Sequence, residues 1–240
     1  MSTAISFAGT EFAYVGTRVL GPVDLGVRTG ETVVLLGESG SGKTTALRLA
    51  NALLMPSTGT VSVLGRTTAE WDPVDLRRSI GYMIQEVGLF LHFTVARNIG
   101  LVPDLLGWDR SRVTGRVAEL LELLRLEDSL ATRLPHELSG GQRQRVGVAR
   151  ALAADPRILL CDEPFGALDP LTRRELQAEF RSLAEALGKT VLFVTHDVRE
   201  AVSLGNRIAV IDAGRIRFEG SIDEFDLSTD ALVVALREHG

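Results

Sequence analysis

The chain has 240 residues, 45% apolar and 24% charged, enough for one substantial core, or one core with a smaller lobe attached. Its formal net charge of −5, from 31 acidic against 26 basic residues, argues against a dedicated nucleic-acid binder, which carries a basic surplus. A single cysteine, Cys161, has no internal disulfide partner, so nothing points to an oxidising compartment. The N-terminal stretch MSTAISFAGTEFAYVG lacks the basic and apolar regions of a signal peptide. No apolar run reaches the roughly 18 residues that cross a bilayer, so a role at a membrane would mean docking on a partner that spans it. The default location is the cytosol.

In chain order, short apolar runs at 4–7, 12–20 and 23–27 read as antiparallel strands ahead of a turn at Thr29, Gly30 and Glu31. The continuous apolar run 32–36 (TVVLL) has the texture of a strand buried on both faces. A Gly-rich loop follows, then a helix expected from Lys43 through Ala52. Residues 61–63 and 80–84 read as further strands. Between Phe90 and Ala154 the texture turns helical: Val117, Leu120, Leu121 and Leu124 recur at helical spacing, as do Val146, Ala149, Leu152 and Ala153. Strand-like runs return at 157–161, 190–195 and 207–211, with a helical pattern over 171–187 between the first two. This alternation predicts an α/β fold, a mostly parallel sheet with helices on both faces.

Two segments carry chemistry. Gly37-Glu38-Ser39-Gly40-Ser41-Gly42-Lys43-Thr44 fits G-x-x-x-x-G-K-[ST] and stands between a strand and a helix, the context that motif needs. Its glycines let successive N–H groups point inward at phosphate oxygens, and the following helix presents its positive end to the same anion. Lys43 adds a point charge at the β- and γ-phosphates, and Thr44 offers a hydroxyl to Mg²⁺, a cation that prefers oxygen ligands. The second segment, Ile158-Leu159-Leu160-Cys161-Asp162-Glu163, is a buried strand ending in two carboxylates. Beside a phosphate loop, Asp162 is expected to hold Mg²⁺ through water, and Glu163 to orient and deprotonate the attacking water. Cys161 reads as a small buried strand residue.

Between the two stands Leu138-Ser139-Gly140-Gly141-Gln142, a Gly-flanked helix start with Ser139 as a natural cap. In that position it resembles the signature of ATP-binding cassette (ABC) ATPases. The remaining motifs of that family appear in order: Gln85 looks like the Q-loop glutamine, Ala167-Leu168-Asp169 like the D-loop, His196 like the switch histidine, and Tyr14 like the aromatic that stacks on adenine. The resemblance covers nearly the whole chain. It implies a P-loop NTPase (RecA-like) core, residues 1–86 and 157–240, with an N-terminal antiparallel β subdomain, and a helical signature-bearing lobe inserted at 87–156. It also implies ATP and Mg²⁺ as cofactors and a head-to-tail dimer with a second copy. In that dimer Ser139, Gly140, Gly141 and Gln142 of one chain close over ATP held by residues 37–44 and Thr45 of the other, with Asp169 alongside. Gln85 would sense Mg²⁺ and the water while linking to an integral membrane permease, and His196 would stabilise the γ-phosphate.

The wording of residues 80–90 (IGYMIQEVGLF), 94–99 (TVARNI), 102–108 (VPDLLGW) and 134–138 (LPHEL) looks like the ATPase subunits of glycine betaine, choline and proline importers. That resemblance implies a chain peripheral to the cytoplasmic face of the cell membrane, working indirectly with an extracytoplasmic substrate-binding protein and with no nucleic acid. Leu91 departs from it, standing where Pro is expected in the docking segment. Some members carry a C-terminal pair of regulatory domains; the sequence runs to Gly240 without one, and ionic-strength sensing of that kind is expected to be absent or elsewhere. The alternatives are an importer ATPase for another small solute, or an ABC ATPase of DNA repair or translation. The latter usually carries a coiled-coil insertion or tandem cassettes, which are not seen. A GTPase-like switch would need an Asn-Lys-x-Asp loop, which does not occur, and a degenerate cassette would not keep Lys43, Thr44, Asp162, Glu163 and His196. His92, His136 and His239 lack metal-type spacing, and Arg143, Arg145 and Arg150 read as a solvated, salt-bridged helix face.

Overall fold

The computed structural model describes residues 2–85 and 87–239, with only the backbone of His239; Met1, Gly240 and Glu86, the last in the segment that carries the importer resemblance, lie outside the described residues. The chain opens with a hairpin, β1 (Thr3–Tyr14) and β2 (Thr17–Arg28), joined through Val15 and Gly16 at φ 44° and 84°. A two-residue turn with positive φ at both centres matches the right-handed twist of its strands. The apolar run 12–20 is therefore not one strand but two half-strands folded about a turn. Val15, fully exposed at the tip, lent the run its misleading continuity. β4 (Thr58–Val63) pairs antiparallel with β1 and β5 (Arg66–Thr67) with β4, giving a four-stranded sheet of order β2-β1-β4-β5.

The second sheet is built from β3 (Thr32–Leu36), β6 (Ile80–Met83), β7 (Ile158–Asp162), β8 (Thr190–Thr195), β9 (Arg207–Asp212) and β10 (Arg215–Ser221). Its order is β10-β9-β3-β8-β7-β6; every neighbouring pair is parallel except β9 with β10. All residues of β3, β7 and β8 are buried, as strands covered on both faces must be. Alternate side chains serve different cores. Val33, Leu35, Leu160, Leu192 and Val194 pack with the antiparallel sheet, with α1 (Lys43–Ala50), and with Leu76 of α2 (Pro73–Ser79).

The opposite residues, Val34, Leu36, Leu159, Cys161, Val191 and Phe193, face a helical layer. That layer holds α3 (Val95–Leu105), α4 (Arg110–Leu123), α5 (Gly140–Leu152), α6 (Pro170–Ala186) and α7 (Val198–Leu204). Val117, Leu120, Leu121, Leu124, Val146, Ala149, Leu152 and Ala153 are all in this core, as their spacing predicts. Helix α1 stops at Ala50 rather than Ala52, with Asn51 as its C-cap. After β10 the chain adds α8 (Ile222–Leu227) and α9 (Ala231–His239), elements for which the sequence reading gave no assignment. Arg150 is not on a fully solvated face: it is half-buried and donates to Val87 O and Gly88 O, both at 2.6 Å, fixing the turn after Gln85. Arg145 does make the expected ion pair, with Glu179. Among the described residues no helix is long and apolar enough to cross a membrane.

Candidate nucleotide and catalytic site

Parallel pairing decides where the site lies. Leu36 pairs with Thr195, Val194 with Asp162, and Cys161 with Met83. The residues that follow these strands, Gly37, His196, Glu163 and Gln85, therefore leave the same edge at nearly the same level. Ligands of open α/β sheets bind outside this carboxyl edge.

Next to β3, the loop cannot be built from larger residues. A Cβ on Gly37 would lie 2.2 Å from Ile211 O, a backbone atom of the neighbouring strand β9. Helix α1 then starts at Lys43 with Gly42 as N-cap and no side-chain cap. Helices α2 to α8 are instead capped by Asp72, Thr94, Asp109, Ser139, Asp169, Asp197 and Ser221. The first N–H groups of α1 are thus left for an external acceptor, the property that makes a helix N-terminus an anion site. Ser41 Oγ is buried in the same loop and, among the described residues, has no hydrogen-bond partner. A buried hydroxyl without a partner is destabilising, so the loop is shaped for a polar group it does not itself supply. These residues fit a phosphate.

Lys43 is 5% exposed, and its ammonium donates to Gly37 O and Glu38 O, 2.7 Å each, bending the loop around itself. Burial lowers its pKa, opposed by the charges of Glu163, Asp162 and Glu38. Thr44 Oγ1 donates to Asp162 Oδ1 at 2.9 Å, and the Tyr82 hydroxyl reaches Asp162 Oδ2 at 3.5 Å. Burial also raises the Asp162 pKa, and pushes Tyr82 up to about 12, the neighbouring Asp162 adding to the effect. Thr44 and Asp162 form a compact pair of hard oxygen donors. That suits Mg²⁺, which takes one or two protein ligands and completes its shell with phosphate oxygens and water.

Glu163 follows Asp162 with a left-handed φ of 45°, a conformation strained for a side chain with a Cβ and one that recurs at functional sites. Its Oε2 lies 2.9 Å from His196 Nδ1 and its Oε1 4.0 Å from Lys43 Nζ. Lys43, Thr44, Asp162, Glu163 and His196 are thus brought together from three separate chain segments. Of the other loop residues, Ser39 and Gly40 lie exposed at its turn, and Thr45 follows in the first turn of α1. Gln85 lies exposed in the turn after β6, level with Glu163.

The remaining residues are elsewhere. Ser139 caps α5, accepting from the Gln142 N–H at 3.2 Å, while the Gln142 side chain accepts from the Ser139 N–H at 2.9 Å. Gly141 abuts Thr172, so the signature packs against the start of α6. Among the described residues no hydrogen bond or ion pair joins 139–142 to 37–45. Asp169 is the cap of α6, accepting from the Thr172 N–H, and hydrogen bonding from the Thr172 hydroxyl, then from that N–H, lowers its pKa. Tyr14 is half-exposed at the hairpin tip, edge-on to Phe12 at 4.6 Å. The sequence reading gave no role to Tyr82, Arg173 or Asp197. Tyr82 meets Asp162 only because β6 pairs with β7, which no local pattern announces.

The ABC transporter family model matches residues 20–166. The glycine betaine/carnitine/choline transport ATP-binding protein OpuCA of Bacillus subtilis is 49% identical over 209 residues, 87% of this chain and 55% of that protein. The glycine betaine uptake system ATP-binding protein YehX of Escherichia coli is 45% identical over 217 residues, 90% of this chain and 70% of its own length. The dimeric structure of MJ0796, a bacterial ABC transporter cassette, superposes with a TM-score of 0.80 at 35% identity, covering 91% of this chain and 98% of the other. A second dimeric structure of that cassette, in a post-hydrolysis state bound to ADP and Pi, superposes at 0.79 and 33%. The chain belongs to the ABC transporter family. It spans about half the length of several of the curated relatives it matches.

Proposed function

We propose that this chain is the ATP-binding, ATP-hydrolysing subunit of an importer for a quaternary-amine osmoprotectant such as glycine betaine, choline or proline. The observation that carries the hydrolytic part is the convergence of Lys43, Thr44, Asp162, Glu163 and His196 at one sheet edge. The loop N–H groups and Lys43 bind the β- and γ-phosphates. Thr44 and Asp162 would hold Mg²⁺, which would supply charge neutralisation at the phosphates. The Glu163 carboxylate takes a proton from the water that attacks the γ-phosphorus, and the bond to the bridging oxygen breaks, leaving ADP and phosphate. His196, bonded to Glu163, holds that carboxylate in place and reaches toward the γ-phosphate. Tyr14 offers its ring to the adenine, and Gln85 joins the site to the membrane partner.

The separation of 139–142 from the loop favours a site completed by a second copy, and the similar MJ0796 cassette is dimeric. Residues 87–156 act as the signature-bearing lobe, and residues 1–86 and 157–240 as the nucleotide-binding core. Peripheral attachment at the cytoplasmic face through a permease, with an extracytoplasmic binding protein upstream, completes the reading. The solute class rests on relatives such as OpuCA and YehX, because in this arrangement the ATPase subunit never touches the solute. ATPase activity measured against protein concentration tests the core of it. Specific activity should rise with concentration as dimers form; a constant specific activity refutes the shared site.

A further inference from the structure

Arg173 stands near the start of α6, four residues after the cap Asp169, and the first turn of the helix carries no acidic residue. A cation there opposes the helix dipole, so helix stability does not explain it. Its guanidinium reaches two other segments. One terminal nitrogen donates to Gly166 O and Leu168 O, both at 3.0 Å, and the other lies 3.8 Å from the Asp197 carboxylate. Gly166 and Leu168 belong to the turn that leaves β7 through Glu163. Asp197 belongs to the turn that leaves β8 through His196. We propose that Arg173 is a positioning residue that ties these two turns together and so holds Glu163 and His196 at hydrogen-bond distance. This rests on the reading of those two residues as the hydrolytic pair.

The two turns have backbone and packing supports as well: the Glu163 N–H donates to Val194 O of β8 at 3.0 Å. Phe165 anchors the first, fully buried against Phe180 and Phe193 at ring separations of 5.9 and 6.0 Å. The second is held locally: Asp197 N–H donates to Thr195 Oγ1, and Asp197 Oδ1 accepts from the N–H groups of Arg199 and Glu200. Between the turns lies a cavity of about 50 Å³, lined by Glu163, Gly166, Arg173, Thr195, His196 and Asp197. The turns are therefore not packed directly on each other, and a space of that size holds water rather than side chains. Among the described residues, the side-chain links across the gap are the Glu163–His196 bond itself and the Arg173 fork. Glu163 is also strained in its backbone, so its placement depends on what surrounds it.

The test compares steady-state ATP hydrolysis, ATP affinity by calorimetry and Tm for wild type, Arg173→Ala, Arg173→Lys and Arg181→Ala. Arg181 also lies on α6 and ties it to α7 through Ser203 O at 2.6 Å, but away from the dyad. Arg173→Ala should lower kcat at least ~10-fold, since misplacement on the order of 1 Å in a reacting constellation loses up to ~100-fold. KM and ATP affinity should stay within about twofold, because residues 37–44 are untouched. Arg181→Ala should show a comparable Tm shift with wild-type kcat. Arg173→Lys should recover kcat only in part, since one ammonium cannot reproduce a planar fork. Wild-type kcat in Arg173→Ala, an equal kcat loss in Arg181→Ala, or a KM rise in step with the kcat loss overturns the assignment. If Arg173→Ala does not fold, Arg173→Lys decides: reduced kcat at unchanged KM supports it, and wild-type kcat overturns it. Absence of turnover in wild type itself overturns the hydrolytic reading and this inference with it.

Discussion

Replacing Glu163 by Gln keeps the shape of the side chain and removes its charge and basicity. In the structure that carboxylate faces His196 Nδ1 at 2.9 Å and Lys43 Nζ at 4.0 Å. At 4 Å and an effective dielectric near 20, the attraction to Lys43 is at most about 4 kcal/mol. In the nucleotide-free chain this attraction competes with phosphate for the lysine. Its loss should therefore leave ATP affinity equal or tighter, never weaker. Turnover should behave oppositely. A positioned general base contributes about 10²- to 10⁴-fold, so kcat should fall by that factor, a barrier increase of about 2.7–5.4 kcal/mol. With binding kept and hydrolysis lost, the ATP-bound dimer should accumulate. Calorimetry for affinity, a single-turnover assay for chemistry and size exclusion with ATP for the dimer measure the three quantities. A kcat within tenfold of wild type, or weakened ATP binding, would refute the role given to Glu163.

Lys43→Ala removes a buried cation from the phosphates; ATP affinity by calorimetry should drop on the order of 10- to 100-fold, as for loss of a charged hydrogen bond of about 1.5–3 kcal/mol, and unchanged affinity would count against it. Gly37→Ala drives a Cβ into the backbone of Ile211 and should lower stability by about 1–3 kcal/mol, read as a drop in Tm. Glu200 is buried against Gln177 at 2.8 Å, and burial holds its pKa above the ordinary 4.5. The folded state then binds this proton more tightly than the unfolded state, so stability falls as pH rises through the window above about 4.5. Glu200→Gln keeps an acceptor for Gln177 and should raise Tm over wild type at pH 7, with the gain vanishing below about pH 4.5; a pH-independent difference would show that the charge is not responsible.

Local signals carried much of the site. The loop 37–44 could be read because its chemistry is contiguous: glycines for backbone approach, a lysine and a threonine in fixed order between strand and helix. The strand 158–162 was legible because double-sided burial leaves an unbroken apolar run that ends in two carboxylates. Capping of α5 by Ser139 follows from short-range hydrogen bonding. Where two signals competed, the reading failed: apolar residues on both sides of Val15 and Gly16 hid a hairpin turn that lacks the usual Asn or Asp. Arg150 sits at helical spacing with Arg143, and only the fold of residues 87–88 over it turns it from a surface charge into a half-buried clamp.

The sequence by itself determined which residues can bind phosphate, which can hold a hard cation and which can accept a proton, because those properties belong to residue type and short spacing. Only the tertiary structure decided that they meet. The contact of Thr44 with Asp162 spans 118 positions, and that of Glu163 with His196 spans 33. Both depend on the order β9-β3-β8-β7-β6 and its register, which bring four strand ends to one edge. The cavity between the Glu163 and His196 turns, and the arginine that spans it, exist only in that arrangement, since no local pattern encodes the distance between two loops.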